Sequence, residues 1–208
     1  KRRALSAPIC VLNYPLFLAE ANYVGGFSEL TYLVMDEVDT VEDHLMSFIE
    51  VAVHKRAIDS LSLGIPRYKT KVESWKEWVA VASKKLESQI GKLGDRSSMS
   101  PRQLKNFGYL KRLYKKFQFL SGELDDGWVL EADSLSMVLF KPIKVSRYSK
   151  SSLWKHTSRS LGMSATILGS NSLALELGLH TWDVEFKELP SPFPIESRRV
   201  EYVPVASV

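Results

Sequence analysis

Tyr32-Leu33-Val34-Met35-Asp36-Glu37-Val38-Asp39 is an apolar run that closes on a cluster of carboxylates and leads into a helix-like stretch from about Val41. In an open α/β sheet, ligands bind outside the carboxyl ends of the strands. An Asp-Glu pair at such an end suits metal and nucleotide chemistry. Acidic residues also decorate the first turn of a helix, where they complement its positive end. Far downstream the plan recurs: Leu161-Gly162-Met163-Ser164-Ala165-Thr166-Ile167-Leu168 is a short strand ending in a small polar tripeptide, followed by Gly169-Ser170-Asn171 and an apolar helix-like stretch. Strand, polar loop and helix in repetition predict an α/β fold with a parallel sheet.

The formal charge of +4 hides an asymmetry. Between Arg67 and Lys116, fourteen Lys and Arg stand against four Asp and Glu, whereas the rest of the chain is acidic. This basic segment reads as two helices. In the first, Val72, Trp75, Val79, Ala82, Leu86 and Ile90 recur at three- and four-residue steps and share one face, with Lys76, Lys84 and Lys85 largely off it. Gly91 to Ser98 forms a break, and Ser100-Pro101 supplies an N-cap and a first-turn proline. The second helix is expected from about Pro101 to Leu120, with Leu104, Phe107, Leu110, Tyr114 and Phe117 inward. Lys105, Lys111, Arg112, Lys115 and Lys116 face mostly outward. The pair predicts an antiparallel hairpin whose basic surface suits a nucleic-acid backbone, with Trp78, Tyr109 and Phe119 as candidate base-stacking residues. Aromatic residues at helical spacing are as often simple packing, and surface lysines as often only aid solubility.

Taken together, the acidic box, the Ser-Ala-Thr tripeptide and the helical segment between them resemble the XPD/DinG type of superfamily 2 DNA helicases. That family carries an Asp-Glu-x-His box and a Ser-Ala-Thr motif in its first motor domain, with a helical arch inserted between. Val11-Leu12-Asn13-Tyr14-Pro15-Leu16-Phe17-Leu18 resembles the strand and Asn-containing turn ahead of the box, and Ser191-Pro192-Phe193-Pro194 resembles the lead-in to the second motor domain. The resemblance implies a partial RecA-like parallel sheet with an arch-like insertion. Its divisions are residues 1–62 (motor domain with the acidic box), 63–126 (arch-like insertion), 127–190 (motor domain continued) and 191–208 (linker to the second motor domain).

The resemblance also implies a 5′ to 3′ ATP-dependent helicase or translocase acting on single-stranded DNA, with RNA as a further candidate. Asp36 would hold Mg²⁺ through water and Glu37 would activate the attacking water. Asp39, standing where the family has His, would with Ser164, Ala165 and Thr166 couple the nucleotide site to movement. Asn13, Lys84, Lys85, Lys105, Lys111, Arg112, Lys115 and Lys116 are the expected nucleic-acid contacts. ATP and Mg²⁺ are the expected cofactors. For Ser164 and Thr166 a plain helix cap is the alternative.

The departures are informative. No Gly-x-x-x-x-Gly-Lys-Ser/Thr phosphate loop occurs in these 208 residues, so the backbone cradle, Lys and hydroxyl that such a loop supplies are missing. The expectation is an internal fragment, inactive alone, whose loop lies upstream in the same polypeptide. With Cys10 as the one cysteine, neither an internal disulfide nor a four-cysteine iron–sulfur cluster can be built from this chain. His44, His54, His156 and His180 lack zinc-ligand spacing. No apolar run reaches the ~20 residues of a membrane span, and no secretory signal pattern opens the chain. The expected location is the cytoplasm, or the nucleus of a eukaryote. Two other classes stay open: a non-catalytic nucleic-acid or protein-binding module using the basic hairpin, and, ranked last, a hydrolase holding metal directly with Asp36, Glu37 and Asp39.

The remaining expectations are strands near residues 9–13, 31–35, 128–133, 137–142 and 199–203. Helices are expected over about Val41 to Asp59, near Ser152 to Arg159 and over residues 172–178.

Overall fold

A computed structural model describes residues 7–25, 27, 30–93, 99–133, 137–167, 169–190 and 194. The fold is mixed α/β: several helices, a two-stranded parallel sheet and a three-stranded antiparallel sheet. Helix α1 (Tyr14–Ala19) starts where Asn13 accepts a hydrogen bond from the Leu16 N–H at 3.0 Å, and it runs on as a π-helical turn, Glu20–Val24. Strand β1 (Leu33–Asp36) is followed by a 3₁₀ turn, Val38–Thr40, and helix α2 (Val41–Ile49). Strand β2 (Val51–His54) and helix α3 (Lys55–Ser60) precede the long helices α4 (Val72–Lys92) and α5 (Pro101–Glu123). Strands β3 (Trp128–Asp133) and β4 (Met137–Pro142), helix α6 (Ser146–Ser152), a 3₁₀ turn (Trp154–His156), strand β5 (Ser160–Met163) and helix α7 (Ser170–Glu176) complete the order. A last 3₁₀ turn spans Thr181–Asp183.

Three expectations are corrected. The predicted helix from Val41 to Asp59 is broken after Ile49, because Val51 and Val53 alternate inward, fully buried, and pair antiparallel with β4. Two β-branched residues at period two suit a strand better than a helix interior. The predicted strand near residues 9–13 is irregular chain. Ile9 and Val11 are 82% and 90% exposed, so these apolar side chains are not buried against a sheet or helix layer. The helix expected near Ser152 to Arg159 lies earlier, with only the 3₁₀ turn beyond it. The strand proposed at 199–203 and the Ser191-Pro192-Phe193 motif lie outside the described residues.

The helical hairpin forms as expected. Ser100 and Gln103 make a reciprocal capping box at the start of α5. The buried stripe of α5 is Phe107, Leu110, Leu113, Phe117 and Leu120; Leu104, expected inside, is exposed. The hairpin shares its core with the antiparallel sheet, whose order is β2-β4-β3. Trp75 meets Phe140 of β4 edge-on at 5.5 Å, and Trp78 meets Phe117 of α5 at 5.8 Å. Trp78 is therefore a core residue, packed against Trp75, Phe117 and Phe140, and its expected role as an exposed base-stacking platform is overturned. Phe119 is half-buried against Trp128 and Tyr148; of the three candidates Tyr109 stays the most open. Among the described residues, no helix is long and apolar enough to cross a membrane.

Candidate functional site

Strands β1 and β5 are distant in sequence and adjacent in space, pairing in parallel from Leu33 opposite Ser160 to Asp36 opposite Met163. Their carboxyl ends consequently lie side by side, and the acidic box and the Ser-Ala-Thr tripeptide leave the sheet together. Parallel pairing requires a long crossover, here supplied by everything between α2 and α6. The approach to β5 is braced by Asn22, whose amide donates to the carbonyls of Leu18 and Ser152 while its oxygen faces His156 Nε2 at 3.2 Å. With the Asn22 amide so committed, its oxygen accepts and His156 Nε2 carries the proton.

Past Asp36 the chain turns sharply. Glu37 adopts φ 50° and ψ 50°, a left-handed conformation that a residue with a side chain adopts only when its surroundings impose it. The Thr40 N–H and hydroxyl both donate to the Glu37 carbonyl, at 2.9 and 2.8 Å. Val38, 3% exposed, plugs the turn into the core beside Gly162. A Cβ on Gly162 would lie 2.9 Å from a Val38 methyl, so glycine is what allows β5 to sit this close. The Tyr14 hydroxyl donates to the Asp36 carbonyl, and its ring lies 5.0 Å from that of His44 on α2. Burial and the neighbouring carboxylates of Asp36, Asp39 and Glu37 push the Tyr14 phenol up to about 12.

The two motifs touch directly. Thr166 donates its hydroxyl to Asp39 Oδ2, Ser164 Oγ lies 3.1 Å from Thr166 Oγ1, and Ser164 reaches Glu37 Oε2 at 3.4 Å. Ser164 Oγ also accepts the Thr166 N–H at 3.1 Å, which folds the tripeptide into a compact turn. The hydroxyls of Thr166 and Ser164 hold the Asp39 carboxyl below the ordinary carboxylate range. Among the described residues, Asp39 Oδ1 is buried with no hydrogen-bond partner. Ala165 is exposed between the two hydroxyl residues.

Asp36 is exposed, and its Oδ1 accepts the Glu37 N–H at 3.1 Å. Among the described residues no group of three or more His, Cys, Asp or Glu side chains gathers to hold a metal. An accessible carboxylate at a strand end fits a magnesium ion that keeps several waters and is held chiefly by phosphate oxygens; it does not fit an all-protein cage.

The other predicted residues divide. Lys84, Lys105, Lys111, Arg112 and Lys115 are exposed on the hairpin, Lys111 lying 4.9 Å over the Phe107 ring. Lys85 donates to the Ser62 carbonyl at 2.7 Å. Lys116, expected outside, is half-buried and donates to the Glu50 carbonyl at 2.8 Å, with desolvation lowering its affinity for the proton. It ties α5 to the α2–β2 junction and offers little of its charge to a ligand. Asn13 is exposed and spends its side-chain oxygen on the cap of α1.

Sequence reasoning missed Tyr14 and Gly162. A lone glycine inside a strand pattern signals close approach of another group, and Gly162 carried that signal; nothing in the sequence announces the reach of the Tyr14 hydroxyl. Compared with known proteins, the chain matches no family model and no curated protein sequence.

Proposed function

We propose that these residues belong to an ATP-driven motor acting on single-stranded DNA, a helicase or translocase of the XPD/DinG type with 5′ to 3′ polarity. In this reading the parallel pair β1 and β5 is part of a RecA-like layer, and α4 with α5 forms the arch. The observation that carries the reading is the contact between Asp39 and Thr166, which joins the acidic box to the Ser-Ala-Thr turn at the carboxyl ends of parallel strands.

Asp36 would anchor Mg²⁺ through water. The ion, when bound with nucleotide, would neutralise charge on the β- and γ-phosphates. Glu37, at the tip of the strained turn and steadied by Ser164, would orient and deprotonate the attacking water. Asp39, Ser164 and Thr166 would act as positioning residues, so that a shift of the Ser-Ala-Thr turn moves the Glu37 carboxylate. The phosphate loop this chemistry requires is not among the 208 residues.

The deciding experiment is ATP hydrolysis by the full native polypeptide, with and without single-stranded DNA, alongside Glu37→Gln. DNA-stimulated turnover abolished by that substitution is the expected result. Tight DNA binding without turnover would favour the second reading, a non-catalytic binding module built on the exposed cations of α5.

A further inference from the structure

A cleft of about 410 Å³ opens between the start of α4 and the loop that precedes it, remote in sequence from both strand-end motifs and bordered by Arg67, Tyr68, Ser74, Glu77, Val81 and Lys85. The loop is strapped down along its length. Gln89 donates to the Ser60 carbonyl at 2.9 Å, Lys85 to that of Ser62 at 2.7 Å, the Trp78 indole to that of Gly64 at 2.7 Å and the Trp75 indole to that of Lys69 at 2.7 Å. Four side chains of one helix thus fix the last carbonyl of α3 and three carbonyls of the loop that follows it. Both indole rings are themselves held in the core by Phe140.

This scaffold presents an exposed aromatic ring. Tyr68 is 56% exposed, with the Arg67 guanidinium 5.9 Å and the Lys71 ammonium 5.0 Å from its centroid. Attraction of a cation to a ring is weak at an exposed site, so a stronger anionic partner can draw both cations away. An exposed aromatic face beside two cations matches a ligand that alternates π faces with phosphates.

We propose that this cleft binds single-stranded nucleic acid, with one base stacked on Tyr68 and the flanking phosphates taken by Arg67 and Lys71. The site takes its ligand class from the proposed motor reading and does not depend on ATP hydrolysis. Glu77, on the cleft wall, supplies an acceptor for an exocyclic amine of a base. Stacking on a side chain tolerates any base, so the cleft holds a strand without reading its sequence.

The test is fluorescence anisotropy of a labelled oligothymidine against the wild-type protein, Tyr68→Ala, Tyr68→Phe and the double variant Arg67→Ala/Lys71→Ala, each checked for an unchanged thermal melt. Tyr68→Ala is expected to weaken binding roughly ten-fold and Tyr68→Phe to retain it. The double variant is expected to flatten the salt dependence, by about 0.7 for each phosphate that is no longer neutralised. Ultraviolet crosslinking to an oligouridine should map to Tyr68. Wild-type affinity in Tyr68→Ala overturns the proposal, as does displacement of the oligonucleotide from the cleft by a polyglutamate peptide at equal charge. Tyr68-dependent binding in a protein without ATP turnover would sustain the cleft while removing the motor reading.

Discussion

The Thr166 hydroxyl donates to the Asp39 carboxylate across 127 residues of chain, and together with the longer bond from Ser164 to Glu37 Oε2 at 3.4 Å it ties two strand ends to each other. Asp39 consequently keeps its proton off more strongly than an ordinary carboxyl. A group with a depressed folded-state value stabilises the fold above its unfolded value and loses that contribution as pH falls through the folded one. The wild-type protein should therefore lose thermal stability on acidification below about pH 4 more steeply than Asp39→Asn or Thr166→Val, with the curves parallel near neutrality. Identical slopes for all three would show that the bond does not persist in solution.

Tyr14 offers an independent check on the same loop. Its phenol is held neutral to about 12 by burial and by the carboxylates of Asp36, Asp39 and Glu37. A raised value means that its contribution is complete below the ordinary tyrosine range near 10 and fades as pH climbs from there to about 12. Burial also raises the phenols of Tyr23, Tyr109 and Tyr148, so ultraviolet titration should show several delayed tyrosines, of which Tyr14→Phe removes one that titrates at about 12. Because that substitution keeps the ring beside His44 and deletes only the bond to the Asp36 carbonyl, any change it makes in the proposed Glu37-dependent ATP turnover reports on the loop and not on packing. A titration unaltered by Tyr14→Phe would place the phenol away from the acidic box.

The parts of the fold legible in the sequence were those with strong periodicity or sharp punctuation. The stripe from Val72 to Leu86 and the Ser100-Pro101 cap gave the hairpin, and polar residues closing apolar runs gave β1 and β5, whose side-by-side pairing only the structure supplies. Val51-Ala52-Val53-His54 was hidden because a four-residue strand between two helices interrupts a helical pattern too briefly to be distinguished from it. Trp78 and Lys116 were misread for a common reason. Each lies off the main helical stripe, yet α4 and α5 pack on more than one neighbour, so the buried arc is wider than the stripe predicts. The chemistry of the site lay in residue types; the hydroxyl of Tyr14 on a backbone carbonyl is a tertiary fact that no spacing encodes.

Gly162 is open to a sharper test. An alanine there would push its Cβ to 2.9 Å from one Val38 methyl and 3.2 Å from the other, and Val38 is itself buried at the base of the acidic turn. Overpacking of this kind costs about 1–3 kcal/mol. Gly162→Ala should thus lower stability in chemical denaturation, and Gly162→Ala/Val38→Ala should show favourable coupling because the second change makes the space the first requires. Strict additivity would mean that the strands separate to absorb the methyl.

The hairpin lysines should separate into two classes. Lys111, Arg112 and Lys115 are exposed, and replacing all three with alanine should weaken single-strand binding and flatten its salt slope by about two units, at about 0.7 per phosphate released. Lys116→Ala should leave that slope unchanged and instead cost roughly 1–2 kcal/mol of stability, because it abandons the Glu50 carbonyl at the α2–β2 junction. Desolvation lowers the proton affinity of Lys116, so in alkali, below the ordinary lysine value, the unfolded chain binds the extra proton and stability gains with rising pH. Lys116→Met should abolish that gain. Should Lys116→Ala flatten the salt slope as much as any one of the exposed three, its ammonium must leave the Glu50 carbonyl and reach the strand, and the basic face of α5 would extend one residue further than its packing allows.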